Sequence, residues 1–531
     1  MDLRPTDTSV THETIRAAVR AALIESTHQV DLARIDDRTD FFAIGLDSMA
    51  VASMVARLQE RLGFDIPLAA VFEHSNVGDL VVFLDDLKRV EAPPPPRPAA
   101  LGEYFLAPMM TNHLARRMGP DWERTPVPTW AAVELTAGTM DADVLRSALD
   151  TLVQRHEALR VSLHRSGDVI LARLDPAASI PLEVVDAPDA DDRELDRMVL
   201  RLRERLFDRT KAPLAAVTLI RRADVDLLCM VIDHSMSDLL SLRMLLLEIG
   251  RLCAGLPLAD PAGLTLSQWC SIERQVLADD GKSAAEFWSE MLEPHWPATE
   301  TAAGLGAAPD RWTHRGFEVG AESRRRLLER AAAEGVTPFA LFAGHLLHAV
   351  RTVMGVSQVP LIVQSLNRDL LGTSELVASP VRELWLSVDV AERETPEQAA
   401  ASFQERLLSG LGWQMTPPSL VLGGRSAWFD AGWTPWIYFS VNLYQMELDF
   451  PSGKARLRSI PMAKESSAPL DLRILDRGDR LVFELTTWPT FLTEEQTDEL
   501  ARVLARSAAF GPPPEIEEAV AGEVGKVGVQ L

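Results

Sequence analysis

Four consecutive prolines, inside Glu91-Ala-Pro-Pro-Pro-Pro-Arg-Pro-Ala-Ala100, divide this chain before any other feature does. Proline lacks an N–H and fixes φ, so such a run cannot continue a helix and favours an extended, semi-rigid spacer. Residues 1–90 therefore form one unit and the segment from 101 onward holds the rest. A second cluster, Gly511-Pro-Pro-Pro-Glu-Ile-Glu-Glu518, marks an exit into an acidic tail running to Leu531. At 531 residues the chain exceeds one ordinary core, so two or three folding units are expected. No internal repeat is visible.

A composition of 47% hydrophobic and 24% charged residues is that of globular protein. The formal net charge of −24 repels phosphate backbones and argues against nucleic acid as a partner. Cys229, Cys253 and Cys270 show no CxxC spacing and read as reduced thiols, with no metal site expected. The first residues lack the basic-then-apolar pattern of a signal peptide. No apolar run approaches the roughly 20 residues that span a bilayer. The expectation is a soluble, cytoplasmic protein without a membrane partner.

The first unit reads as all helix. Ile15, Val19 and Leu23 mark one helical run, and Val51, Met54, Val55, Leu58 and Leu62 keep the i, i+3, i+4 spacing of a second, which Gly63 ends. A short turn at Leu68 to Phe72 and a run from Val77 to Lys88 complete a small bundle. Gly45-Leu-Asp-Ser48 leads straight into the second helix. A phosphodiester on the Ser48 hydroxyl would meet the free N–H groups and positive dipole end there. On these residues alone, Asp47 or Ser48 serves equally well as a simple N-cap.

The surroundings go further. Asp40-Phe-Phe-Ala-Ile-Gly-Leu-Asp-Ser-Met49, then Leu62-Gly-Phe-Asp-Ile-Pro67 and Val71-Phe-Glu-His-Ser75, resemble acyl and peptidyl carrier domains over nearly the whole unit. The form Gly-Leu-Asp-Ser is closer to polyketide-type acyl carriers than to the Gly-Gly-x-Ser of many peptidyl carriers. The resemblance implies a four-helix bundle whose Ser48 carries covalent 4′-phosphopantetheine, attached by a phosphopantetheinyl transferase.

The large segment alternates strands and helices, which predicts mixed α/β architecture, with strands expected at 130–135, 227–232, 359–364 and 436–442 and helices at 141–156, 239–253 and 337–353. At the end of the apolar run Leu227 to Ile232 stands Asp233-His-Ser-Met-Ser-Asp238, followed by Leu239, Leu240 and Ser241. A histidine leaving a buried strand is suited to proton transfer near neutral pH, or is a satisfied structural residue beside an N-capping Asp238. Arg155-His-Glu-Ala-Leu-Arg160 lies upstream, with Thr337-Pro-Phe-Ala340, Gln364-Ser-Leu-Asn-Arg368 and Leu470-Asp-Leu472 downstream. In that order these resemble condensation domains of nonribosomal peptide synthetases, with Arg155 to Arg160 matching their RHExLR motif and the stretch from Asp233 their HHxxxDG motif.

The resemblance covers roughly residues 101 to 510 and implies two chloramphenicol-acetyltransferase-like lobes, expected at 101–290 and 291–510. It implies that His234 is the catalytic histidine, acting as base or positioning group when an amine or hydroxyl attacks a thioester. It casts Asp238 as a structural aspartate in an ion pair, with Arg368 its expected partner, and lets the backbone from Ser235 to Asp238 offer N–H groups to an oxyanion. The whole is then a carrier–condensation didomain of a peptide or hybrid polyketide–peptide assembly line for natural products such as antibiotics. An upstream acyl-loading or synthase protein, and a downstream acceptor carrier protein or small-molecule nucleophile, are the implied partners. Ten linker residues span at most about 31 Å, which allows docking within or between chains. The tail from Pro514 to Val520 is either a docking peptide or a frayed terminus.

Departures from the family pattern leave alternatives. Asp233 stands for the first motif histidine and Leu239 for the motif glycine, where it is expected to restrict the loop and add bulk. Arg382, Glu383 and Trp385 are large or charged where the family shows Gly-x-Phe-Val-Asn-Thr, and Gly102 to Ala107 matches the opening motif only faintly. Asp233, Asp238 and Ser241 together fit the DxxxxDxxS pattern of heterocyclisation domains. A catalytically silent, carrier-docking scaffold is the remaining possibility.

Overall fold

The computed structural model describes residues 11–26, 35–42, 44, 46, 48–64, 66–87, 102–111, 114, 128–135, 139–167, 169–203, 205–223, 225–259, 263–292, 311–368, 370, 372–422, 437–442, 447–450, 453–458, 468–509 and 516. The proline spacer at 91–100 and the proposed docking peptide, apart from Ile516, lie outside them.

The N-terminal unit is helical, as its periodicity requires. Helices α1 (His12–Ser26), α2 (Ser48–Leu62), α3 (Leu68–Glu73) and α4 (Val77–Leu87) pack together. Ile15, Val19 and Leu23 of α1 meet Val51, Met54, Val55 and Leu58 of α2 and Leu80, Val81 and Leu84 of α4 in a buried core. Each such side chain contributes roughly 1.5–3 kcal/mol. Gly63 ends α2 at φ 78°, a left-handed conformation that glycine adopts without steric cost.

The remainder is α/β, built on two six-stranded sheets and one small one. Its first half holds β1 (Glu103–Phe105), β2 (Pro128–Leu135), α5 (Ala142–Arg155), β3 (Val161–Ser166), β4 (Val169–Leu174), β5 (Leu182–Asp186) and α6 (Asp192–Arg203). Next come β6 (Ala215–Arg221), β7 (Asp226–Asp233), α7 (Leu239–Cys253) and α8 (Leu266–Leu292). The second half holds β8 (Thr313–Gly320), α9 (Ala321–Ala333), α10 (Pro338–Met354), β9 (Gln358–Ser365), β10 (Arg382–Asp389), α11 (Pro396–Leu411) and α12 (Pro418–Val421). It closes with β11 (Ile437–Asn442), β12 (Glu447–Phe450), β13 (Gly453–Leu457), β14 (Leu470–Asp476), β15 (Arg480–Thr487) and α13 (Glu494–Ala508).

One large sheet has the order β12-β13-β2-β7-β6-β5, the other β10-β9-β11-β14-β15-β8, and β1-β4-β3 form the third. Strand β7 lies between β2 and β6, and all eight of its residues are buried. That is why it reads as an unbroken apolar run and not as an alternating one. The hairpin β12–β13 is distant in sequence from the first sheet yet pairs with β2, Ala455 opposite Leu135. A division of the lobes at residue 291 thus describes chain order, while this hairpin crosses back.

Helix α10 is buried along most of its length, and Thr337 caps it through Ala340 N. His345 lies inside, with Nδ1 lacking a hydrogen-bond partner among the described residues. Burial lowers its pKa from 6.5 to about 4, with Glu397 and His348 as its titratable neighbours. The folded chain therefore resists protonating a group that the unfolded chain protonates near pH 6.5. This contribution is complete above pH 6.5 and disappears as the pH falls toward 4, by roughly 3 kcal/mol. Urea unfolding at pH 7.5 and 5.0 should show a smaller acid-side loss in His345→Leu than in the parent chain. An equal loss in both would refute the assignment.

Candidate functional site

Two places are candidates for chemistry. In the helical unit, Ser48 is the first residue of α2, and the loop ahead of it is tied to the bundle. Asp40 accepts from Phe42 N at 2.9 Å through Oδ1 and from Ser75 Oγ at 2.9 Å through Oδ2. Phe41 N donates to the Ser75 carbonyl and Leu46 N to that of Phe41, while Phe41 and Leu46 are fully buried. Phe42 stacks on Phe72 with ring centroids 5.6 Å apart. The quoted motif residues thus hold the loop that leads to Ser48. A 15-residue helix starting there has first-turn N–H groups able to receive a phosphodiester, so the residues fit a phosphopantetheine arm.

The second place is the turn between β7 and α7. Asp233, the last residue of β7, is 2% exposed and accepts from Ser235 N at 3.0 Å and Ser235 Oγ at 2.5 Å. Its other oxygen lies 2.6 Å from Nη2 of Arg209, a side chain with no exposed surface. His234 follows, partly exposed, with Nδ1 2.8 Å from the Ser237 carbonyl. A carbonyl only accepts, so Nδ1 donates here, and in the neutral tautomer of that ring the lone pair lies on Nε2. Ser235 N and Met236 N are engaged by the Asp233 side chain and carbonyl respectively. Both are therefore removed from the set considered for an oxyanion.

Asp238 closes the turn and caps α7, accepting from Ser241 N at 2.7 Å. Arg368 Nη2 reaches its two carboxylate oxygens at 2.9 and 3.0 Å. The same nitrogen donates to Ser241 Oγ at 2.9 Å, and Nη1 donates to the Thr373 and Leu376 carbonyls at 2.9 and 2.7 Å. Ser241 Oγ in turn donates to the Ala378 carbonyl at 2.8 Å and accepts from Ala378 N at 3.2 Å. Its hydroxyl is buried and fully used as a link, not held as a nucleophile.

Arg368 follows Asn367, whose φ is 50°. That left-handed backbone is one that, after glycine, asparagine tolerates best. Removing the guanidinium strands a buried carboxylate, so Arg368→Met should lower unfolding stability by about 3–5 kcal/mol. Urea denaturation of the purified chain measures it, and a loss below about 1 kcal/mol would contradict the geometry.

The expectation that Leu239 strains the loop is corrected. Leu239 opens α7 directly after the Asp238 cap and is not among the positive-φ residues; it is 40% exposed. An ordinary helical backbone accepts leucine without penalty. Arg382 and Trp385, large and out of pattern, are by contrast buried: Arg382 pairs with the fully buried Glu273 and donates to the Pro380 carbonyl at 2.7 Å. Glu273 also accepts from Met109 N at 2.6 Å, so one carboxylate joins α8, β10 and the start of the segment.

Arg155, His156 and Glu157 are structural. Arg155 Nε and His156 Nε2 both bind Glu248, at 3.0 and 2.6 Å. Glu157 accepts from Ser267 N at 2.8 Å, and Arg155 reaches Glu375 at 3.4 Å. Residues 372–378 are therefore held by Arg368 on one side and Arg155 on the other. Arg209, Glu248, Glu273 and Glu375 escape a sequence reading because nothing local marks a single charge whose partner is far along the chain. The thiols are neutral: burial pushes Cys253 up to about 11 and Cys229 up to about 12. Among the described residues there is no metal-binding cluster and no helix long and apolar enough to cross a membrane.

Comparison with known proteins assigns each of the two units to a family. A family model described as a phosphopantetheine attachment site matches residues 17–84, and one described as a condensation domain matches 130–415. Tyrocidine synthase 3 of Brevibacillus parabrevis is 25% identical over 60% of this chain and 5% of its own length. Surfactin synthase subunit 1 of Bacillus subtilis is 22% identical over 75% of this chain and 11% of its own. The chain thus spans a small fraction of these relatives. Among solved structures, the condensation domain from the Monacolin K polyketide synthase MokA superposes with a TM-score of 0.64 at 13% identity, over 77% of this chain and 97% of that one. The X-domain from teicoplanin biosynthesis, solved with OxyB, gives 0.63 at 16% identity, over 79% and 95%. With the condensation model covering more than half of its residues and the attachment model preceding it, this chain belongs to the condensation-domain family and carries a phosphopantetheine carrier domain ahead of that domain.

Proposed function

We propose that this chain transfers an acyl group from a pantetheine thioester to an amine or hydroxyl acceptor, as part of a peptide or hybrid polyketide–peptide assembly line. The carrier unit spans 1–90, the spacer 91–100, the two lobes 101–290 and 291–510 with the crossing hairpin, and the tail 511–531. Ser48 bears the arm, installed by a phosphopantetheinyl transferase, and the acyl group arrives from a loading protein. An acceptor carrier or a small nucleophile takes it away.

The observation that carries this reading is the His234 turn, in which the ring is tethered through Nδ1 between two carboxylates paired to arginines. Nε2 takes or orients the proton of the incoming N–H or O–H. The nucleophile bonds to the thioester carbon, the C–S bond breaks, and the arm leaves as a thiol that recovers the proton. Asp238 and Arg368 hold the turn and do not touch the reacting atoms. Phosphopantetheine, when bound, supplies the activated thioester and a flexible tether.

Asp233 spends both oxygens on Arg209 and Ser235, which argues against a heterocyclisation role for the Asp233, Asp238, Ser241 pattern. A silent docking scaffold is the second reading, and one experiment separates the two. The test is to load the arm from a panel of acyl-coenzyme A thioesters, add amines, alcohols and cysteine, and follow products by mass spectrometry. Acyl amide or ester should appear at a rate set by His234. If acyl groups leave the arm of the parent chain no faster than they leave a free acyl-pantetheine thioester, the docking reading replaces this one.

A further inference from the structure

We propose that Arg209 and Asp233 act as one positioning unit for His234, so that the departure at Asp233 is a matched replacement within a working turn. The inference rests on His234 being the working histidine. Asp233 is not merely a different letter beside it: Oδ2 takes the guanidinium of Arg209 at 2.6 Å, and Oδ1 takes both the N–H and the hydroxyl of Ser235. The backbone of Asp233 is fixed as well, its N–H donating to Leu214 and its carbonyl accepting from Met236 N, both at 2.9 Å. These five contacts set where the chain leaves β7, one residue before His234.

Arg209 is itself anchored. Its carbonyl accepts from Leu163 N at 2.6 Å on β3, and the preceding Asp208 closes its own turn through Thr210 N at 3.1 Å and Thr210 Oγ1 at 2.5 Å. The cation therefore comes from a loop tied to the strand that follows the Arg155-His-Glu segment. The turn 233–238 thus has a buried carboxylate at each end, each with its own arginine: Arg209 from the first half of the domain and Arg368 from the second. The Asp238 end caps the helix and the Asp233 end orients the histidine.

A buried ion pair responds asymmetrically to mutation. Removing one partner strands a charge, whereas replacing both with neutral groups of similar shape costs little. Asn at 233 retains an oxygen that can accept from Ser235, and Met at 209 fills the volume of the arginine stem. Arg209→Met and Asp233→Asn should therefore each disturb the turn, while the double variant recovers it.

The experiment uses the full-length chain with histidine-selective 15N labelling, the His234 resonances being assigned by their disappearance in His234→Gln. In the parent chain the ring should show the Nδ1–H tautomer fixed by the Ser237 carbonyl. Each single variant should show averaged or altered tautomer shifts and a thermal midpoint roughly 10 °C lower. The double variant should return the parent His234 spectrum and most of the midpoint. Should a single variant fail to fold, recovery in the double still supports the pair. An unchanged His234 spectrum in folded single variants, or no recovery in the double, overturns the proposal. This readout needs no turnover, so a chain that transfers no acyl group at all can still pass or fail it.

Discussion

Replacing Ser48 with alanine should abolish attachment of the phosphopantetheine arm and, with it, all transfer of acyl groups carried in cis. The expected result is absolute because the linkage is covalent: without the hydroxyl there is no atom on which the phosphodiester can form. Residue 48 opens a helix whose core face rests on Val51, Met54, Val55 and Leu58. Loss of a serine hydroxyl at a helix start costs no more than about 1 kcal/mol, too little to unfold the bundle. Intact-protein mass spectrometry after incubation with coenzyme A and a broad-specificity phosphopantetheinyl transferase should show one added arm on the parent chain and none on Ser48→Ala. Modification persisting in the variant would place the arm elsewhere. Circular dichroism of the two proteins should match, which separates lost chemistry from lost fold.

The second large effect concerns His234. In His234→Ala, transfer from a loaded arm should fall by roughly 10²- to 10⁴-fold, the range for a positioned proton-transfer group. Arm loading, by contrast, should be unchanged, since it takes place on the other unit. The tether from Nδ1 to Ser237 is a single hydrogen bond at a partly exposed position, and its loss costs about 1 kcal/mol of stability. A rate within threefold of the parent would leave alignment of the thioester as the whole source of acceleration. Unlike Arg368→Met, which strands a buried carboxylate, this substitution separates catalysis from folding.

How much of this was legible in the residues depends on how far apart the interacting groups lie. The carrier unit was readable almost entirely, because its helices are short, its apolar stripe repeats locally, and Asp40, Phe42, Phe72 and Ser75 fall within one compact motif set. Helix α7 was likewise visible to its ends, since Asp238 caps it and an apolar stripe runs to Cys253. The strand before it announced itself because both of its faces are buried.

Other features could not be read this way. Asp233 looked like a lost histidine until Arg209 stood beside it, and Leu239 looked like an obstruction until its side chain was seen to be 40% exposed at the helix start. Arg382 with Glu273 and Arg155 with Glu248 pair across about 100 residues of chain, and β13 reaches back across more than 300 to β2. A sequence shows periodicity and capping because those forces act between residues a few positions apart. A buried ion pair is chosen by which groups the folded lobes remove from water together, and a strand partner by which sheet edge lies within reach. By itself the sequence determined the kind of chain, and it pointed to the serine and histidine on which the proposed chemistry turns. Only the tertiary structure decided which charges hold that histidine, because desolvation and long-range pairing exist only once the chain has closed on itself.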